Sequence, residues 1–261
     1  MHMKNPHTEN QTPFLFRLYL WSLILLHIMG GAMTLLFIFP FQKKNLKRWH
    51  IQRWSKRLLG IFKVELVVHG SQILPNRSYL LAANHISWLD IHVINAFNPI
   101  RFVAKSEVEG WPIFGWMAKQ LGTVFIKRDN SRHARQVSGE VGKILQSESI
   151  CIFPEGTSSL GTHVLPFKAN LFESAVSAGA PVYPLAIQYF STKTGLRSEA
   201  PAFVGEIGLL ESIANILKER DLRVVLRFLE PLKCQNGLTS DRKQLAQYSQ
   251  ETISSSIKCY M

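Results

Sequence analysis

Apolar positions along the chain fall into two patterns. Residues 18–41, LYLWSLILLHIMGGAMTLLFIFPF, run for 24 residues without Asp, Glu, Lys or Arg. As a helix this stretch would be roughly 36 Å long, enough to cross a hydrocarbon core of about 30 Å with some tilt. Gly30-Gly31 lies near its middle beside His27, so a re-entrant or interfacial helical hairpin turning there is the alternative to a single crossing. The stretch is too long for the apolar region of a cleavable signal peptide and no small-x-small site follows it, so it is expected to be retained.

From residue 64 onward the pattern changes. Short β-branched and aromatic runs at 64–69, 79–83, 101–104, 123–126, 150–153, 182–188 and 224–229 predict strands. Between them, stretches of helical periodicity at 89–97, 113–121, 131–146, 171–178, 209–218 and 240–257 predict helices. Such alternation predicts an α/β domain with a mixed, largely parallel sheet flanked by helices. No internal repeat, low-complexity tract or long linker interrupts it. The expected division is an N-terminal flank 1–17, a membrane segment 18–41, a basic amphipathic membrane-surface segment 42–60, and one domain over 61–261.

Composition narrows the class. The 261 residues are 46% hydrophobic and 18% charged, ample for a sizeable core and unlike a disordered chain. Three dispersed cysteines, Cys151, Cys234 and Cys259, form no CxxC pair and no Cys/His run, which supports neither a disulfide framework nor a zinc site. The net charge of +12 is unevenly spread. Seven of the charges, Lys43, Lys44, Lys47, Arg48, Arg53, Lys56 and Arg57, follow the apolar stretch with no acid among them. Only Lys4 and Arg17 precede it, so the positive-inside rule places the downstream domain in the cytoplasm. Trp49 and Trp54, interleaved with these cations, suit the headgroup level of an anionic membrane. Basic residues abutting an apolar segment, with no recurrent stacking motif, argue against a nucleic-acid partner.

Four short stretches carry candidate chemistry. Ala82-Ala83-Asn84-His85-Ile86-Ser87-Trp88-Leu89-Asp90 follows an apolar strand, and the carboxyl ends of strands are where α/β sheets place ligands. A neutral histidine takes a proton from a hydroxyl when a carboxylate holds its other ring nitrogen, and His85 with Asp90 has the parts for this. Five residues at about 100° each put the two side chains roughly 140° apart on a regular helix. They therefore need a strand-to-helix turn between them, with Ser87 as a fitting N-cap. His92 offers the same imidazole chemistry, or is simply a polar helix residue. The second stretch, 122–128, ends in Lys127-Arg128, where a guanidinium suits a phosphate. The third, Phe153-Pro154-Glu155-Gly156-Thr157-Ser158-Ser159, is a polar turn after an apolar strand. Its Gly156 lets backbone approach a ligand and its Glu155 is an acceptor for a substrate hydroxyl. The fourth, Ala180-Pro181-Val182-Tyr183-Pro184, brackets a strand start with prolines, as a shaping element at a sheet edge does. Gly-x-Ser-x-Gly, P-loop and Gly-x-Gly-x-x-Gly patterns are absent, so serine hydrolase, P-loop and dinucleotide readings lack their mechanical parts.

In this order the four stretches resemble the glycerolipid acyltransferase family that includes bacterial 1-acylglycerol-3-phosphate acyltransferases. The resemblance rests on Asn-His-x4-Asp at 84–90, Gly-x-x-Phe-Ile-x-Arg at 122–128, Phe-Pro-Glu-Gly-Thr at 153–157 and the proline-bearing strand at 181–184. It covers about 120 residues, with Phe102-Val103-Ala104-Lys105 and Trp111-Pro112-Ile113-Phe114-Gly115 also similar. It implies an O-acyltransferase of the bacterial inner membrane that moves a fatty acyl group from acyl-CoA or acyl-carrier protein to a lysolipid hydroxyl. The implied acceptor is lysophosphatidic acid, with lyso-ornithine lipid or another lysophospholipid as the alternative. His85 would be the general base and Asp90 its orienting partner. Arg128 would bind the acceptor's anionic head, Glu155, Gly156 and Thr157 would line the acceptor site, and Lys105 would be a further substrate-side cation. No cofactor beyond the acyl donor and no metal is implied. One departure stands out: many members carry Arg after Phe-Pro-Glu-Gly-Thr, and this chain carries Ser158, which leaves His163 or Lys168 to replace the cation.

Overall fold

The computed structural model describes residues 13–127, 131–232 and 241–259; Lys4, Arg128 and Cys234 lie outside them. The chain opens with helix α1, Phe14–Met33, which continues through a π turn, Thr34–Ile38, and a 3₁₀ turn, Phe39–Phe41. Together they form a 28-residue apolar segment of mean hydropathy 2.1, long enough to cross a membrane. The turn at Gly30-Gly31 that the hairpin alternative places there is not made. The helix runs straight through, because Gly31 packs against Trp54: a Cβ at this position would lie 2.4 Å from the indole Nε1. The reversal comes later, at Phe39–Phe41, where Pro40 supplies no amide hydrogen to continue the ladder. Helix α2, Lys44–Phe62, then folds back. The His27 ring stacks on Trp54 at 4.5 Å, and Trp54 Nε1 donates to the His27 carbonyl at 3.2 Å.

Strands β1 (Val64–His69) and β2 (Leu80–Ala83) precede α3 (Leu89–Phe97). Then come β3 (Arg101–Lys105), a short α4 (Ser106–Glu109), α5 (Phe114–Gln120) and β4 (Val124–Ile126). The remaining elements are α6 (Ser131–Leu145), β5 (Ile150–Ile152), α7 (Glu173–Ala178), β6 (Val182–Ser191), α8 (Leu209–Lys218), β7 (Leu222–Phe228) and α9 (Arg242–Lys258). Each expected strand and helix is present, half of the ends unshifted and the others moved by one or two residues, apart from β6, which runs three residues further. The short α4 and the regular helical form of α2 are additional.

Among the described residues the strands form one sheet in the order β1-β7-β6-β2-β5-β3-β4. Its pairs are parallel except β6 with β7. The central strands are buried on both faces, as their unbroken apolar runs require. One face carries a core with Phe62, Leu89, Val93, Ile216 and Leu226, joined by Leu20 and Ile24 of α1. The other carries Val141, Leu145, Phe172 and Leu245. The prolines correct one expectation, since β6 is central rather than at an edge. Pro184 is tolerated because it lies just outside the β6–β7 ladder, which begins at Leu185 opposite Phe228.

Helix α2 is fastened to α3. Gln52 Nε2 donates to the Ala96 and Phe97 carbonyls at 3.2 and 2.7 Å, and Arg48 donates to Asn98 Oδ1 at 2.7 Å. The two Gln52 bonds satisfy carbonyl groups that a helix end otherwise leaves orphaned. On the outer side of α1, Phe14, Leu15, Leu18, Leu25, Leu26 and Met29 are more than half exposed. A bare apolar face of this extent marks an interaction surface, and with the helix's length and hydropathy it gives membrane association.

Candidate active site

Strand β2 ends at Ala83, while its neighbour β6 continues to Ser191. Asn84 bridges the gap: its Nδ2 donates to the Ile187 carbonyl at 3.0 Å and its Oδ1 accepts from Ile187 N at 2.8 Å. The chain leaves the sheet here, and residues 84–88 make the expected strand-to-helix turn into α3. Asp90, in the first turn of α3, is fully buried. Its Oδ2 accepts from Ile86 N at 2.8 Å and Ser87 N at 2.9 Å and lies 2.9 Å from His85 Nδ1. The aspartate, more than the expected Ser87 cap, organises this turn; the Ser87 hydroxyl only accepts from Leu89 N at 3.2 Å. A carboxylate oxygen bonded by three neighbours fixes the groups it touches.

With its Nδ1 held by a carboxylate, His85 keeps Nε2 as the basic nitrogen. The ring stacks on Phe153 at a centroid distance of 4.0 Å, and the side chain is 20% exposed.

Glu155 is 4% exposed. Its Oε1 accepts from His85 N at 2.6 Å and its Oε2 from Leu165 N at 2.9 Å. Burial raises its pKa, opposed by these two N–H bonds and the nearby His85, with the Asp90 charge adding to the rise. The carboxylate thus ties the turn bearing His85 to the loop after β5. Gly156 is buried with φ +78°, a conformation that a side chain resists, and Thr157 is exposed beside it. Lys105 is partly exposed at the end of β3, two strands from β2. Since β2, β5 and β3 are mutually parallel, His85, Glu155–Thr157 and Lys105 all emerge at the same end of the sheet. Arg128 falls outside the described residues.

One residue of the site has no counterpart in the sequence reading. Tyr189 of β6, 1% exposed, donates its hydroxyl to Asp90 Oδ1 at 2.7 Å. Burial and the Asp90 charge hold its pKa well above the usual tyrosine value, so it remains a donor. The available signal was a buried-strand tyrosine among other polar-tipped residues of β6, 99 residues from its partner. His92 also resolves: it lines an apolar cavity of ≈ 190 Å³ with Trp54, Trp88, Phe102, Trp111 and Leu35. Its pKa is lowered to about 4 by burial and by the adjacent His27. It stands two residues after Asp90 on α3, roughly 200° round the helix, and does not join the dyad. Phe102, on the cavity wall, stacks at 6.1 Å on the Phe153 ring that supports His85. Among the described residues no group of three or more His, Cys, Asp or Glu side chains is arranged to hold a metal.

Comparison with known proteins agrees with this geometry. The family model "Acyltransferase" matches residues 65–188. A lyso-ornithine lipid O-acyltransferase of Pseudomonas aeruginosa is 34% identical over 212 residues, 81% of this chain and 78% of that protein. A 1-acyl-sn-glycerol-3-phosphate acyltransferase of Neisseria gonorrhoeae is 39% identical over 156 residues, 59% of this chain and 60% of that one. The crystal structure of the 1-acyl-sn-glycerophosphate (LPA) acyltransferase PlsC from Thermotoga maritima superposes with a TM-score of 0.67 at 26% identity, across 94% of both chains.

Proposed function

The chain belongs to the acyltransferase family, and from that membership we propose that it moves a fatty acyl group from a thioester, acyl-CoA or acyl-carrier protein, to the free hydroxyl of a lysolipid. The observation that carries the mechanism is the contact between His85 Nδ1 and the buried Asp90 carboxylate. With Nδ1–H donated to Asp90, Nε2 accepts the proton of the acceptor hydroxyl as its oxygen attacks the thioester carbonyl. Asp90 stabilises the imidazolium that forms. The tetrahedral intermediate collapses with cleavage of the C–S bond, and the imidazolium returns its proton to the departing thiolate. Ester and thiol are the products, with no covalent enzyme intermediate.

The apolar cavity beyond Phe102 suits the acyl chain, since it is lined mostly by aromatic and aliphatic side chains and begins one ring from His85. Glu155, Gly156 and Thr157 line the acceptor side, with Lys105 and Arg128 as the cations that the motifs supply. Lysophosphatidic acid is the first acceptor. Lyso-ornithine lipid is the second reading, favoured by Ser158 in place of a motif arginine and by the extent of the Pseudomonas aeruginosa match.

Residues 18–41 act as the membrane segment and 42–60 as a headgroup-level segment on anionic lipid, with the domain over 61–261 facing the cytoplasm. The groove of Trp49, Gln52, Arg53, Lys56 and Arg57 on α2 supports this, as does the run of cations behind the apolar helix. The test is acylation by purified enzyme of lysophosphatidic acid and lyso-ornithine lipid, each with both thioester donors. Product is expected with wild type and none above background with His85→Ala. Full transfer by His85→Ala would overturn the mechanism, and free fatty acid without a diacyl product would show a hydrolase.

A further inference from the structure

Where many relatives by motif place a cation, Ser158 here donates its hydroxyl to the Phe203 carbonyl, so the acceptor loop has no positive charge at that position. The loop nevertheless lies directly on the dyad. Ser159 N donates to the His85 carbonyl at 2.9 Å. Gly161, at φ +74°, approaches Ile86 so closely that a Cβ would meet its Cδ1 at 2.5 Å.

A cation reaches this loop from the segment that follows β6. Arg197 Nη1 donates to the Gly161 carbonyl, while Nη2, enclosed by protein, has no acceptor among the described residues. The segment carrying Arg197 is itself stitched to the site. Ser198 N donates to the Tyr189 carbonyl at 3.0 Å, Phe203 N donates to the Ile86 carbonyl at 2.9 Å, and the Tyr189 hydroxyl is the one bound to Asp90. Other cations are committed: Arg101 to Glu148, Arg223 to Glu65, Arg242 to Glu173, Lys63 to Asp221. Arg197 forms no salt bridge of this kind among the described residues. Burial lowers its pKa from the ordinary guanidinium value, with the Glu199 charge only partly opposing. A guanidinium with an unmatched N–H and no carboxylate partner is built to receive an oxyanion, whose two oxygens its planar fork engages together.

Its position fits the acceptor rather than the acyl chain. In the sheet order β6-β2-β5-β3, Arg197 follows β6 on one flank of His85, whereas Lys105 ends β3 on the other. The cavity lies on the face covered by α2 and α3, and its lining does not include Arg197.

We propose that Arg197 binds the anionic headgroup of the lysolipid acceptor, a phosphate or a carboxylate, in the role that Ser158 leaves unfilled. This rests on the lysolipid reading above. The test uses the full chain in detergent micelles and three forms: wild type, Arg197→Gln, which keeps an amide donor for Gly161, and Arg197→Lys, which keeps the charge. Two measurements are made. One is Kd for micellar lysophosphatidate and for lyso-ornithine lipid, without donor. The other is kcat/KM for each anionic acceptor relative to uncharged monoacylglycerol.

For at least one anionic acceptor, Arg197→Gln is expected to raise Kd and lower that ratio tenfold or more. Arg197→Lys is expected to recover part of both, and the acceptor affected identifies the headgroup. A Kd and ratio within twofold of wild type for both acceptors overturns the proposal, as does a larger rise in donor KM than in acceptor KM, or absence of anionic lysolipid binding by wild type. If wild type binds the lysolipid and transfers no acyl group, the acyltransfer reading fails while the Kd comparison still decides the role of Arg197.

Discussion

Tyr189→Phe isolates the bond that holds the dyad from behind. The ring is 1% exposed and Phe fills nearly the same volume, so core packing survives. What is lost is one donor, the hydroxyl 2.7 Å from Asp90 Oδ1. Ile86 N, Ser87 N and His85 Nδ1 all bond to Oδ2, so Oδ1 is left without a partner among the described residues. A hydrogen bond to a charged group contributes about 1.5–3 kcal/mol, and a stranded buried acceptor costs a similar amount. Stability should fall by about 2 kcal/mol, or roughly 4–8 °C in Tm for a domain of this size. The carboxylate can then pivot about its remaining bonds, and His85 loses its fixed orientation. If most of that energy is expressed in the transition state, kcat falls by about 10- to 100-fold at 1.4 kcal/mol per decade. Neither substrate touches Tyr189, so KM for donor and acceptor should change less than threefold. Thiol release from the thioester, followed continuously with lysophosphatidic acid present, gives both constants, and a thermal melt gives Tm. A variant with kcat within twofold of wild type and an unmoved Tm would refute the role assigned to the Tyr189–Asp90 bond; equal losses in kcat and KM would make it merely structural.

Other expectations follow from the same geometry. Asp90→Asn keeps an oxygen for the Oδ2 donors and turns an amide toward the Tyr189 oxygen, so the melt should shift little while kcat drops by about 10³–10⁴, as in hydrolase triads; activity near wild type would exclude a role for the charge. Gly161→Ala forces a side chain into φ +74° and against Ile86 Cδ1, and should cost about 1–3 kcal/mol in chemical denaturation together with most of the activity. His92 provides a pH signature. Its folded pKa of about 4 lies below the ordinary 6.5, so the unfolded chain binds more protons between these values and stability falls as pH drops from 6.5 to 4, by about 3 kcal/mol. In His92→Phe the difference from wild type should narrow across that window; curves that stay parallel from pH 7 to 4 would show that His92 is not the group responsible.

The parts of this molecule that could be read from sequence are those set by neighbours in the chain. Each strand announced itself through a short apolar run, and the incompatibility of His85 and Asp90 with one helix face required the turn that the structure contains. Strand order and the antiparallel β6–β7 pair left no such trace, because they depend on which edges meet after the helices pack. The Tyr189 hydroxyl reaches Asp90 across 99 residues and the Arg197 guanidinium reaches the Gly161 carbonyl across 36, distances at which periodicity and motif spacing carry no information. Gly30-Gly31 left a hairpin open beside a single crossing for a related reason. Two glycines read locally as a break, whereas here Gly31 is small because an indole from another helix lies against it.

The fastening of α2 to α3 has a further meaning. Gln52 and Arg48, on the helix that carries the basic run, grip the far end of the nine-residue helix whose first turn holds Asp90. With α2 at the headgroup level and His85 as the base, as proposed, anchor and base are joined through this helix pair. An enzyme so built would work at a set height above the lipid surface. Hydroxyl groups at that height would be within its range and chemically identical ones buried deeper or lifted higher would not, so the depth of α1 in the bilayer would act as a selector alongside the pocket itself.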